Sequence, residues 1–244
     1  MDQPLFRLVN SAVSQRRAAK ILGLHQKTVA RKIIRLGTFA EQNLLADHRN
    51  LTVKKAIFDE METFEHTKMK PLSIAVAVEE PTRRLLAMQV AQMPAKGLLA
   101  ERSRKKYGVR EDKRPKALRS MLQTLKKHGI KGLELKSDKC PRYPAAVREI
   151  LGPDIDYRQF EGRRGCVVGQ GELKAGGFDP LFSLNHTCAM TRDNLKRLSR
   201  RTWCTTKRPD MLQHLLNLYM CYHNQTLDKS IRLPRIHDTG GAIK

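Results

Sequence analysis

Apolar residues recur at helical intervals early in the chain: Ala18, Ile21 and Leu22, then, beyond Gly23, Val29, Ile33 and Leu36. Ser14 just upstream is a residue type that caps helix N-termini. Gly23 marks a place where a left-handed turn costs little. The spacing predicts two helices, over residues 17–22 and 26–36, joined by a tight turn, with small Ala19 letting them approach. In such a helix-turn-helix the second helix enters the DNA major groove. Gln26, Lys27 and Thr28 at its start, followed by Arg31 and Lys32, are the candidate DNA contacts.

From residue 54 the period changes. Residues 56–58 form an apolar strand running into acidic 59–62, and two β-like runs, 72–78 and 85–90, flank a turn containing Pro81, which predicts three meandering strands. Residues 110–128 carry Leu118, Met121, Leu122 and Leu125 at helical spacing. A short strand follows over 132–136, then a helix over 144–151, an extended run over 155–160 and a Gly-rich basic loop over 163–177. One long helix is expected over 180–201 and a last one over 209–222. The Gly-rich loop lacks the Gly-Lys-Ser/Thr of a phosphate loop and any preceding βαβ context. The order of strands and helices is that of an RNase H-like core. The expected fold class is therefore α/β: a small helical helix-turn-helix domain (1–40), a linker (41–53), an RNase H-like mixed-sheet core (54–228) and an unstructured tail (229–244).

Charge narrows the partner. The 244 residues carry 47 Lys+Arg against 24 Asp+Glu, a formal charge of +23. Dispersed cations in that excess favour a polyanion, since each phosphate they neutralise releases counterions. With 40% apolar residues the chain can build a core, and with 5% aromatics and one Trp it is poorly equipped as a base-stacking platform. Trp203 reads as a core or interface anchor. The longest near-apolar run, 72–78, is far short of the ~20 residues of a membrane span, so no membrane partner and a cytoplasmic location are expected. Five cysteines, at 140, 166, 188, 204 and 221, form no Cys-x-x-Cys pair and read as reduced thiols.

In so basic a chain, acids at strand ends stand out. Asp59 falls within the first strand and Asp138 at the end of the fourth. Carboxylates converging on one site of a sheet bind Mg²⁺ or Mn²⁺, the ions that activate attacking and leaving oxygens in phosphodiester transfer.

The strings Phe58-Asp-Glu-Met-Glu-Thr-Phe64, Ser137-Asp-Lys-Cys-Pro-Arg-Tyr143 and Asn194-Leu-Lys-Arg-Leu-Ser-Arg-Arg-Thr-Trp203, behind a helix-turn-helix of the resolvase and transposase kind, resemble the DDE transposases of the insertion-sequence-one class. The resemblance covers residues 12–227. It implies an RNase H-like enzyme that cuts and joins DNA with Mg²⁺ or Mn²⁺, acting on terminal inverted repeats and target DNA as a homo-oligomer in the nucleoid. Asp59 and Asp138 match the first two acids. The third falls on Asn185, where the family has Glu, and Arg192 matches a basic residue seven positions on. Lys196, Arg197, Arg200 and Arg201 are the expected phosphate contacts, with a solvated helix face as the alternative.

An amide oxygen ligates Mg²⁺ without supplying charge. Asn185 is therefore a third ligand, or another acid (Glu172, Asp179 or Asp193) takes its place, or the chain is a catalytically impaired DNA-binding remnant or regulator. His186 beside it is a candidate to hold a metal or a phosphate. Relatives also begin with a zinc-ribbon, whereas no Cys precedes residue 140; the expectation is either a chain without that module or a truncated reading frame.

Overall fold

Strand β1 (Lys55–Phe64) organises the molecule by sending alternate side chains to opposite sides. Ile57 and Met61 enter one apolar core, Ala56 and Phe58 another. A computed structural model of the chain describes residues 2–48, 51–127, 129, 132–161, 179–199 and 202–227. The expected Gly-rich loop at 163–177, the tail at 229–244, and Arg200 and Arg201 lie outside the described residues.

The fold is mixed α/β, with an N-terminal helical region ahead of a five-stranded sheet of order β3-β2-β1-β4-β5. Strands β2 (Pro71–Glu79) and β3 (Leu85–Gln92) complete an antiparallel meander with β1. On its other edge β1 pairs in parallel with β4 (Glu134–Asp138), which pairs in parallel with β5 (Asp156–Phe160). Along the chain, three strands followed by helix, strand, helix, strand and helix reproduce the order of elements read from the sequence. Residues 72–78 of β2 are all buried because helices cover both faces of the sheet, which explains the near-continuous apolar run.

One face is covered by α5 (Arg114–Lys127) and α6 (Tyr143–Leu151), which bury Leu118, Met121, Leu122, Leu125 and Val147. Large helix side chains meet small Ala75 and Ala77 there. The other face carries α7 (Phe182–Asn194), α8 (Pro209–Leu227) and the N-terminal helices α1 (Gln3–Val9), α2 (Gln15–Ile21) and α3 (Gln26–His48), all sharing one core. The helical region is thus packed into the same core as the sheet.

Three elements differ from expectation. Helix α3, expected to end at Leu36, runs on to His48, so residues 41–48 of the expected linker are helical. The buried stripe Val29, Ile33, Leu36 simply continues through Ala40 and Leu44. Between them Gly37 lies against α8: a Cβ on it would stand 2.6 Å from His214 Cβ and 2.8 Å from His214 backbone atoms. That glycine is a crossing point, with Asn217 Nδ2 donating to its carbonyl oxygen at 3.4 Å.

The long helix expected over 180–201 stops at Asn194. Leu195 turns extended so that it and Leu198 can enter the core, and the Asn194 carbonyl accepts from the Ala12 N–H at 2.7 Å. Lys196 and Arg197 therefore sit beyond the helix. Helix α4 (Leu99–Tyr107) had no counterpart in the sequence reading, because it buries only Ser103 and carries no apolar stripe.

Candidate active site

The β1–β4 ladder pairs Ile57 with Lys136 and Phe58 with Ser137, which makes Asp59 and Asp138 the next residues on each strand. By alternation both carboxylates face the side of α7 and α8. Asp138 ends β4 beside β1, where the strand order turns from β2 and β3 on one side to β4 and β5 on the other, and such a switch point is a recurrent location for ligand sites in α/β sheets.

Each carboxylate has one oxygen fixed. Asp59 Oδ1 accepts from the Glu60 N–H at 2.6 Å and from the Tyr143 hydroxyl at 3.1 Å. Asp138 Oδ1 accepts from the Cys140 N–H at 3.1 Å. The second oxygen of each accepts no hydrogen bond among the described residues. Burial and then the charge of Asp138 push the Asp59 carboxyl up to about 6. Burial and the Asp59 charge raise the Tyr143 phenol far above its ordinary value, so it remains a donor. No basic side chain forms an ion pair with Asp59 or Asp138 among the described residues.

Helix α7 closes the site from above. Its Cys188 thiol is pushed up to about 12, mainly by burial and further by the charge of Asp59, with Arg192 one turn on pulling the other way. Asn185 is exposed, and its Nδ2 donates to Asp179 Oδ2 at 3.1 Å; no hydrogen bond joins it to Asp59 or Asp138 among the described residues. Among the described residues no three His, Cys, Asp or Glu side chains assemble a metal cage. The pair alone fits a divalent cation in one respect: two carboxylates without an ion pair among the described residues share a face, and Mg²⁺ is commonly held by one or two carboxylates, with water or phosphate oxygens completing its shell.

The remaining expected contacts divide. Gln26, Lys27 and Arg31 are exposed on the first turns of α3, and Thr28 is half-buried. Ser14 caps α2 by accepting from the Arg17 N–H at 3.3 Å, and Gly23 takes φ +62° in the turn. Lys32 is committed to Asp2 at 2.6 Å. Arg197 turns inward: its Nη2 donates to Gln15 Oε1 at 3.0 Å, and burial lowers its pKa. It ties the segment after α7 to α2 rather than presenting a phosphate contact. Lys196 is half-exposed beside it.

Tyr143 and Cys188 were not among the expected site residues. Tyr143 was visible only as part of the Asp-x-x-x-x-Tyr string, and a single Cys carries no spacing signal. No family model matches the chain, and no curated protein matches it.

Proposed function

We propose that this protein is a DNA transposase of the DDE type, which engages inverted repeats through α2 and α3 and cleaves and joins strands at Asp59 and Asp138. The placement of those two carboxylates just beyond the last pair of the β1–β4 ladder, with the Asp59 pKa raised to about 6, carries the reading. A buried acid with a raised pKa and no cation beside it among the described residues is costly to keep, and such groups are concentrated where chemistry occurs.

In this mechanism Asp59 and Asp138 would hold Mg²⁺ or Mn²⁺, which would supply Lewis acidity toward the attacking and leaving oxygens. Tyr143 and the Cys140 N–H each fix one carboxylate oxygen, leaving the other for ligation. Cys188 and the body of α7 exclude water from one side of the pair. The exposed Lys27 and Arg31 neutralise phosphates as α3 enters the groove. The absence of any acid from the first turn of α3 suits the positive end of its dipole to DNA. Homo-oligomers acting at the nucleoid on paired ends and target DNA complete the proposal.

Strand cleavage of end-containing duplexes in Mn²⁺ tests it. Cleavage by the wild type, lost in Asp59→Asn and Asp138→Asn, is the expected result. A second reading, a DNA-binding remnant or regulator, is favoured by Asn185 and its bond to Asp179. Equal inertness of the wild type and both variants, with DNA binding intact, would establish the remnant instead.

A further inference from the structure

Away from the acid pair, three basic side chains converge where the β2–β3 hairpin meets α7 and α8. Arg83 Nη1 lies 3.1 Å from Nδ1 and 3.3 Å from Nε2 of His186 on α7. His223 on α8 has Nε2 2.9 Å from the Arg83 carbonyl oxygen, placed to donate to it. Asn224 next to it accepts from the Leu85 N–H and donates to the Leu85 carbonyl, both at 2.9 Å, so α8 clamps the hairpin root.

The arrangement is held under backbone strain. Arg83 has φ +64°, a conformation uncommon outside glycine, and such residues cluster at ligand clamps. Neither Arg83 nor His186 forms an ion pair among the described residues: of the carboxylates on neighbouring segments, Glu80 pairs with Lys136, while Glu79 and Asp179 accept from Thr82 and Asn185. Burial, Arg83 and His186 all hold the His223 ring toward its neutral form, although burial is offset in part by its bond to Arg83.

We infer that Arg83, His186 and His223 form a phosphate-binding subsite, in which the remaining N–H groups of Arg83 and the His186 ring grip phosphoryl oxygens. Guanidinium and imidazole donors around an anion give charge-assisted hydrogen bonds, and a fixed Arg suits the tetrahedral oxyanion. The same α7 that covers Asp59 carries His186, so the bound group is a backbone phosphate of the DNA strand entering the acid pair. That source rests on the transposase reading; the phosphate chemistry does not.

The informative variant is Arg83→Gly, because glycine accepts φ +64° and preserves the turn, keeping Tm within about 3 °C of wild type. At neutral pH and ionic strength held constant with chloride, inorganic phosphate should shift the His186 and His223 ring NMR resonances saturably in the wild type. Arg83→Gly should abolish that shift. On a short duplex, Arg83→Gly should bind about three- to tenfold more weakly and lose about 0.9 from the slope of log K against log salt, one phosphate contact. No saturable shift in the wild type, or the same shift in Arg83→Gly, overturns the subsite. Phosphate binding without duplex binding keeps the subsite and overturns the DNA reading. Phosphate shifts lost in Arg83→Gly with duplex affinity unchanged assign the subsite to free phosphate instead of the DNA backbone.

Discussion

Each face of the sheet carries a buried apolar core, but the two treat the carboxylates of β1 in opposite ways. Toward α5 and α6, Phe58 stacks with Tyr143 and Tyr157 at centroid distances of 4.9 and 6.1 Å, and Glu60 pairs with Arg142 at 2.8 Å. Asp59, on the side of α7 and α8, has no cation among the described residues; it meets the hydroxyl of Tyr143 from α6, a backbone N–H and a second carboxylate. Adjacent acids on one strand thus have different work. Glu60 has a guanidinium partner, whereas Asp59 is crowded by burial and a second carboxylate with no cation among the described residues, a condition that raises a carboxyl pKa and is concentrated at functional sites.

The sharpest way to break that contrast is to neutralise each acid in turn. Asp138→Asn should cut DNA strand cleavage by about a thousandfold or more, a barrier increase of about 4 kcal/mol, and Asp59→Asn should match it. Stability should move the other way for Asp59. Its folded pKa, about 6, exceeds its ordinary value, so the folded state binds the proton more tightly. Stability is then full below about pH 4, falls as pH rises through about 6 and stays lower above. Asp59→Asn should remove that slope in metal-free buffer and stabilise the protein at neutral pH by on the order of 2 kcal/mol, checked by urea unfolding across pH.

Next in size is the attachment of the α3 helix to the α8 face. Gly37→Val puts side-chain atoms where the His214 backbone stands, and should cost about 3 kcal/mol by overpacking, read from the urea midpoint. Loss of DNA affinity to the same degree as loss of stability would show that α3 needs its seat on α8 to present Lys27 and Arg31.

Glu60→Gln tests the partnered acid. Leaving Arg142, whose side chain is 37% exposed, without its carboxylate should cost about 1–2 kcal/mol, less than for a fully buried pair, with cleavage within about threefold of wild type. A cleavage loss as large as that of Asp59→Asn would erase the distinction between the two faces. The smallest effect is at Ser14: Ser14→Ala removes the α2 cap and should lower stability by about 1 kcal/mol without changing metal dependence.

Much of the fold was legible because local signals agreed with it. The Ser14 cap, Gly23 turn and apolar stripe of α3 predicted the helix-turn-helix, and the change to alternating and continuous apolar runs predicted β1, β2 and β3. Asp59 and Asp138 stood out as strand-end acids in a basic chain. What failed did so where distant contacts overrule local pattern. Gly37 weakens helix propensity, yet α3 passes through it because α8 needs the space. The helical spacing beyond Asn194 was overridden when Leu195 and Leu198 found the core. Trp203, expected as a core or interface anchor, is fully exposed and is not part of the core.

The sequence by itself determined which residues could form helices, strands and caps, and that its charge suits a polyanion, because periodicity, capping and charge are properties of near neighbours. Only the tertiary structure decided which side chains share a site. Asp59 and Asp138 are 79 positions apart in sequence and meet through strand register. Tyr143 reaches Asp59 because α6 packs behind the sheet, Arg197 turns inward to Gln15, and Arg83 meets His186 across 103 residues. Proximity of that kind comes from packing one face of the sheet against particular helices, and no local pattern in the chain encodes it.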